Sequence, residues 1–134
     1  MFKIDPSTLD YIYVLKQLEQ DYQAAHFTSN HNSFISEHGM FGELLEELRE
    51  EVDSLIEKCF AFDKETMVQS LFTTRFDLQA NSIQICNTLY DLINNDRFIE
   101  SQEGLVLQDK ITQVQSLLAD HFYKLQMHFD YEPA

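Results

Sequence analysis

HFTSNHNSFISEHGMFGELLEELREEVDSLIEK, residues 26–58, is the segment around which the rest of the chain is organised. Phe34, Phe41, Leu45, Leu48, Val52 and Leu55 return at intervals built from threes and fours, with His38 in the same series. One apolar stripe at that period predicts an amphipathic α-helix from about residue 33, and it places His38 on the apolar seam. Asp53 and Glu57 are four apart, so both carboxylates stand on one face, where they could share a cation.

His38 lies fifteen residues before Asp53, which is about 22 Å along a straight helix. Within one chain the histidine and the carboxylates therefore cannot hold the same ion. Two copies packed antiparallel about a two-fold axis bring the histidine end of one against the carboxylate end of the other, and two identical mixed sites result. His26, His38, Asp53 and Glu57 are the candidate ligands. Their nitrogen and oxygen donors suit iron, with zinc or manganese as alternative occupants.

The ordered set His26, Phe27, Phe34, His38, Phe41, Leu48, Asp53, Glu57 and Lys58 resembles the ferroxidase signature of the Dps proteins, the small-cage branch of the ferritin-like superfamily. The resemblance spans residues 22–58. It implies a ferritin-like four-helix bundle, a homodimer or larger homo-oligomer, and a metal site shared between subunits. In that site Asp53 and Glu57 of one chain and His26 of the partner subunit would hold the tighter iron, with His38 helping a weaker position. The implied reaction is oxidation of Fe(II), preferably by hydrogen peroxide, with iron storage as the outcome. The chain has Phe27 where the family usually has Trp, His31-Asn32 where it has Gly-Pro, and Glu37 where it has Leu. It also lacks the long insertion that the family carries after Glu57. In that compactness it resembles short ferritin-like proteins encoded by some phages and large viruses.

A length of 134 residues fits one domain, residues 1–134, able to bury one core. The formal charge is −14, and the nine lysines and arginines are scattered rather than clustered. Direct nucleic-acid binding is not expected, because phosphate recognition needs grouped cations. Cys59 and Cys86 both fall in helical apolar patterns, so neither a disulfide framework nor a cysteine-based zinc site is indicated. A reducing, cytoplasmic setting is the expectation. No apolar run reaches membrane length, no secretory pattern opens the chain, and three glycines and two prolines leave little room for an all-β fold.

Taken in order, Asp5-Pro6-Ser7 is a helix start, and Tyr11, Leu15, Leu18, Tyr22 and Ala25 predict a first helix over about 7–28. The polar turn from Thr28 to Asn32 makes it an antiparallel neighbour of the second helix, over about 33–60, so that His26 and His38 can lie near one another. Glu43, Glu46, Glu47, Glu50 and Glu51 read as the solvated face of that helix. Gly39 and Gly42 weaken it, and their presence points to close approach of another backbone, as at a dimer contact. Asp63 reads as the N-cap of a third helix whose face runs through Phe72, Phe76, Ile83, Cys86, Tyr90 and Ile93 to Asn94-Asn95-Asp96. Arg97 to Gly104 is a linker. Leu107, Ile111, Val114, Leu118, His121 or Phe122, Leu125 and Phe129 mark a fourth helix. The short link after helix two favours up-down-up-down order, whereas a ferritin-like bundle needs a link spanning the bundle; both orders remain open.

Each candidate ligand also has an ordinary structural reading. A histidine at a helix end often only hydrogen-bonds, and a helix glutamate is usually solvated. His31 is a further candidate near the turn, while His121 and His128 read as packing residues. The alternative to a ferroxidase is a non-enzymatic acidic helical protein, such as a phage-encoded one, that binds a partner protein or mimics DNA.

Overall fold

A computed structural model describes residues 3–28, 34–71, 81–94 and 105–133, the side chains of 34–36, 71, 105 and 106 excepted. Five helices make up the described chain: α1 (Pro6–Phe27), α2 (Phe34–Phe62), α3 (Lys64–Leu71), α4 (Ser82–Asn94) and α5 (Leu105–Phe129). Among the described residues there is no strand, and no helix is long and apolar enough to cross a membrane.

Local chemistry sets the helix ends. Asp5 caps α1 by accepting from the Ser7 amide and the Ser7 hydroxyl, both at 2.9 Å, with Pro6 in the first turn where no amide hydrogen is needed. The Ser7 amide bond holds the Asp5 carboxyl below its usual range. Asp63 separates α2 from α3 and caps α3, accepting from the Thr66 amide at 3.2 Å and, through its other oxygen, from the Ile4 amide at 3.0 Å. One carboxylate thus starts a helix and ties the chain before α1 to the far end of α2. Asn81 caps α4, its Oδ1 accepting from the Ile83 amide at 2.8 Å. At the end of α5, Asp130 takes the left-handed conformation with φ of 51°, and the Tyr131 amide reaches back to the Gln126 carbonyl at 3.0 Å. That is the Schellman arrangement, in which glycine is the commoner occupant of the left-handed position.

The expected helices one, two and four stand within two residues of their predicted starts and ends. The third does not run as one rod: α3 stops at Leu71, α4 begins afresh at Ser82, and Phe72 and Phe76 lie outside the described residues. Its predicted face is only partly the buried one. Cys86 is buried and Ile93 packs on the core as expected, but Ile83 is 62% exposed and Tyr90 39%, and Ile85, Leu89 and Leu92 take the buried positions instead. A new start at Asn81 resets the helical phase, so a stripe counted from Asp63 applies only in part.

Polar contacts fix the helix directions. Ile4 meets Asp63 at one end of the α1–α2 pair and His26 meets His38 at the other, so these helices are antiparallel. Lys110 bonds Glu51 and His128 bonds Glu37, which makes α5 antiparallel to α2. The Gln115 amide donates to the Leu92 carbonyl and the Tyr131 hydroxyl to Asn87, which makes α4 antiparallel to α5. Helix α4 therefore runs parallel to α2. Helix α1 packs on α2 and α4, and α5 packs on the same two, so α2 and α4 occupy opposite corners. The order is up-down-down-up. The chain leaves α2 at one end of the bundle and re-enters at Ser82 near the other, which resolves the connectivity that the sequence left open. Leu48, Val52 and Leu55 of α2 are fully enclosed between these neighbours, and truncating Leu48 or Leu55 to alanine should cost about 2–5 kcal/mol.

Candidate functional site

His26, one residue before the end of α1, and His38, one turn into α2, form a reciprocal clasp. Nδ1 of His26 contacts the His38 carbonyl at 2.5 Å, and Nδ1 of His38 contacts the His26 carbonyl at 2.6 Å. A carbonyl oxygen only accepts, so both Nδ1 atoms carry hydrogen, and the neutral form of each ring has its lone pair on Nε2. That is the tautomer a ligating histidine uses when its other nitrogen is anchored to a carbonyl. The rings stack with centroids 3.7 Å apart and planes inclined by 18°.

The stack limits what the pair can bind. An imidazole coordinates in its own plane with the metal about 2.0–2.1 Å from nitrogen. Two planes 3.7 Å apart and inclined by 18° converge only about 11 Å away, far beyond that bond length. In this arrangement one ion cannot sit between the histidines, and each serves a separate position.

Gly42 seats His26. A Cβ built there would lie 3.1 Å from Cε1 and 3.3 Å from Nδ1 of His26, whereas one at Gly39 meets nothing within 4 Å. The close approach at Gly42 is thus an imidazole of the same chain rather than another backbone. This corrects the sequence-based reading of that glycine.

Asp53 and Glu57 are both exposed on α2. They stand about 22 Å or more of helical rise beyond His38, so the structure brings His26 and His38 together and leaves the carboxylate pair at the other end. Among the described residues no group of three or more histidine, cysteine or carboxylate side chains is placed to hold a metal. A complete four-residue site requires a second chain. His31 lies outside the described residues. His128 donates from Nε2 to the buried Glu37 at 3.1 Å, which gives the departure at Glu37 a structural partner. The solvated acidic face is only partly so: Glu43, Glu46 and Glu50 are exposed, but Glu51 accepts from the buried Lys110 at 2.6 Å.

A second polar constellation, with no signal of its own in the sequence, lies inside the bundle. His121 is completely buried, with Nδ1 2.9 Å from the Tyr22 hydroxyl across the bundle and Nε2 3.7 Å from Glu47. Burial, helped by Lys124, pushes His121 down to about 4 against the weaker opposing pull of Asp120, and burial drives the Tyr22 phenol well above its usual value. Both residues read as core positions in the sequence. Their pairing depends on α1 and α5 facing each other diagonally, which no local pattern encodes. Glu19 is also buried; Lys16 lies 2.8 Å and Arg49 3.7 Å away, yet neither is aligned to hydrogen-bond it.

No protein family, curated protein or solved structure matches this chain.

Proposed function

We propose that this chain is a ferritin-like, Dps-type ferroxidase that acts as a homodimer or larger assembly and takes Fe(II) as substrate, with peroxide or oxygen as oxidant. The observation that carries the reading is the clasp. Two histidines are held as Nδ1–H tautomers at one end of α2, and a carboxylate pair four residues apart stands exposed at the other. Antiparallel pairing of two α2 helices makes each half complete the other. The up-down-down-up order supports the same reading, because ferritin-like bundles are those with one long crossover.

In each shared site Asp53 and Glu57 supply oxygen ligands, and His26 supplies its Nε2, held in place by Gly42 and the clasp. His38 serves a neighbouring position, as the stacked planes demand. Bound iron would give its electron to the oxidant. The chain's own part is to gather two ions, neutralise their charge and leave coordination positions open to the oxidant.

Anaerobic titration of Fe(II) into metal-free protein tests this, with stoichiometry and assembly mass read on the same sample before peroxide is added. Saturable binding at one to two irons per chain in a dimer or larger species, then rapid oxidation, is the expected result. Binding no greater than in an Asp53→Ala, Glu57→Ala double variant would leave the acidic helical protein that binds a partner protein as the better description.

A further inference from the structure

Among the described residues Tyr11 and Tyr22 are the tyrosines fully enclosed by the bundle, and their hydroxyls meet acceptors of different chemistry. Tyr11 donates to Oε1 of Gln115 at 2.9 Å, whereas Tyr22 meets Nδ1 of His121 at 2.9 Å. An amide oxygen accepts a hydrogen bond but is no base; a neutral imidazole nitrogen is one. Glu47 Oε2 lies 3.7 Å from Nε2 of that imidazole, and a carboxylate there favours the tautomer with its hydrogen on Nε2. Nδ1 then carries the lone pair and Tyr22 is the donor.

His121 is an expensive choice for mere packing. It is completely enclosed and its Nε2 makes no hydrogen bond, a condition native interiors rarely tolerate without a role. We propose that Tyr22 is a one-electron redox site, with His121 as its built-in proton acceptor and Glu47 as the counter-charge. When a one-electron oxidant of the hydroxyl-radical class takes an electron from the phenol, the Tyr22 O–H bond breaks and an N–H bond forms at Nδ1 of His121. The products are a neutral phenoxyl, an imidazolium facing the Glu47 carboxylate, and hydroxide from the reduced oxidant. Charge and atoms balance within these three side chains and the oxidant.

The surroundings suit that chemistry. Burial keeps Tyr22 a phenol and leaves His121 unprotonated to accept at ordinary pH; it also weakens the imidazole as a base, but an oxidised phenol is a far stronger acid than the resulting imidazolium, so the proton still passes along the 2.9 Å contact. Enclosure also keeps the phenoxyl from coupling with another molecule. The rings of Phe41 and Phe129, each 6.1 Å from the next, lead from Tyr22 toward the end of α5 and give electrons a short path. The exposed Tyr13 and Tyr123 lack such enclosure. The bundle would thereby hold a sink for strong one-electron oxidants, and this does not require that the chain bind iron.

The test uses metal-free protein oxidised by photogenerated tris(bipyridine)ruthenium(III), with freeze-quench electron paramagnetic resonance as the readout. A slowly decaying phenoxyl is expected in the unmodified protein and in Tyr11→Phe, and its loss is expected in Tyr22→Phe. Labelling the histidines with nitrogen-15 should change the nitrogen hyperfine coupling of that signal, a readout on the intact protein that does not depend on any variant folding. A slow phenoxyl surviving in Tyr22→Phe, or one with no histidine nitrogen coupling, would overturn the proposal. Because no iron is present, failure here leaves the ferroxidase reading untouched.

Discussion

Replacing each helical glycine of α2 by alanine separates the local cost of glycine from its role in seating His26. In an α-helix alanine is favoured over glycine by about 0.8–1.0 kcal/mol. Gly39 has nothing within 4 Å of its would-be Cβ, so Gly39→Ala should gain nearly that full amount. At Gly42 the same methyl would come within 3.1 Å of His26 Cε1. The ring cannot yield easily, because it is stacked on His38 at 3.7 Å and hydrogen-bonded at 2.5 Å. Displacing it sacrifices the hydrogen bond from its own Nδ1 to the His38 carbonyl, at about 0.5–1.5 kcal/mol, so Gly42→Ala should be less stable than Gly39→Ala by about that amount. Urea unfolding followed by far-ultraviolet circular dichroism reads this as a difference in midpoint at constant slope. In a His26→Ala background the gap should close to within about 0.5 kcal/mol, since the partner of the clash is gone. Equal stabilisation by both alanines in the unmodified background would refute the seating of His26 on Gly42.

The depressed His121 makes stability fall on acidification. Above 6.5 neither the folded nor the unfolded chain protonates this group. Between 6.5 and about 4 only the unfolded chain does, so stability is lost as pH falls, by about 3 kcal/mol over that window. His121→Gln should remove this segment of the pH profile, leaving the shared carboxylate contribution, and an unchanged profile would contradict the buried neutral imidazole. Cys59 and Cys86 are buried, and burial pushes the Cys86 thiol up to about 11; neither should react with iodoacetamide at pH 8 until denaturant is added, as counted by mass. Asp130 holds a left-handed conformation, so Asp130→Gly should stabilise the protein by about 0.5–1 kcal/mol despite the added entropy of the unfolded chain. A destabilised Asp130→Gly in thermal unfolding would show that its side chain matters more than its backbone.

The two long helices that carry the candidate ligands were legible because their apolar stripes are uninterrupted and their caps are chemically explicit, as at Asp5. The proximity of His26 and His38 followed from a short turn joining antiparallel helices. Their reciprocal bonding did not follow, since it depends on two side-chain rotamers and on the open space above Gly42. The third helix misled because Phe72, Phe76 and Ile83 continue a plausible period across a break. Asn81-Ser82 carried the capping signal, but it competed with a longer hydrophobic count. The Tyr22–His121 pair was illegible for a different reason: it joins diagonal helices, and helix order was set only by which faces of α2 and α4 each neighbour covers. The carboxylates Asp53 and Glu57 stand exposed and four apart on α2, where helical spacing alone put them.

If the two ends of α2 complete each other across two chains, two binding-deficient variants should restore a site when their subunits are mixed. A His26→Ala, His38→Ala double variant and an Asp53→Ala, Glu57→Ala double variant are each titrated anaerobically with Fe(II), then unfolded together, refolded and titrated again. Each variant alone should lack the high-affinity binding. Random re-pairing gives half heterodimers, each with one intact and one empty site, so the mixture should recover about one quarter of the unmodified capacity. No recovery in a mixture shown by mass to contain heterodimers would contradict the shared site.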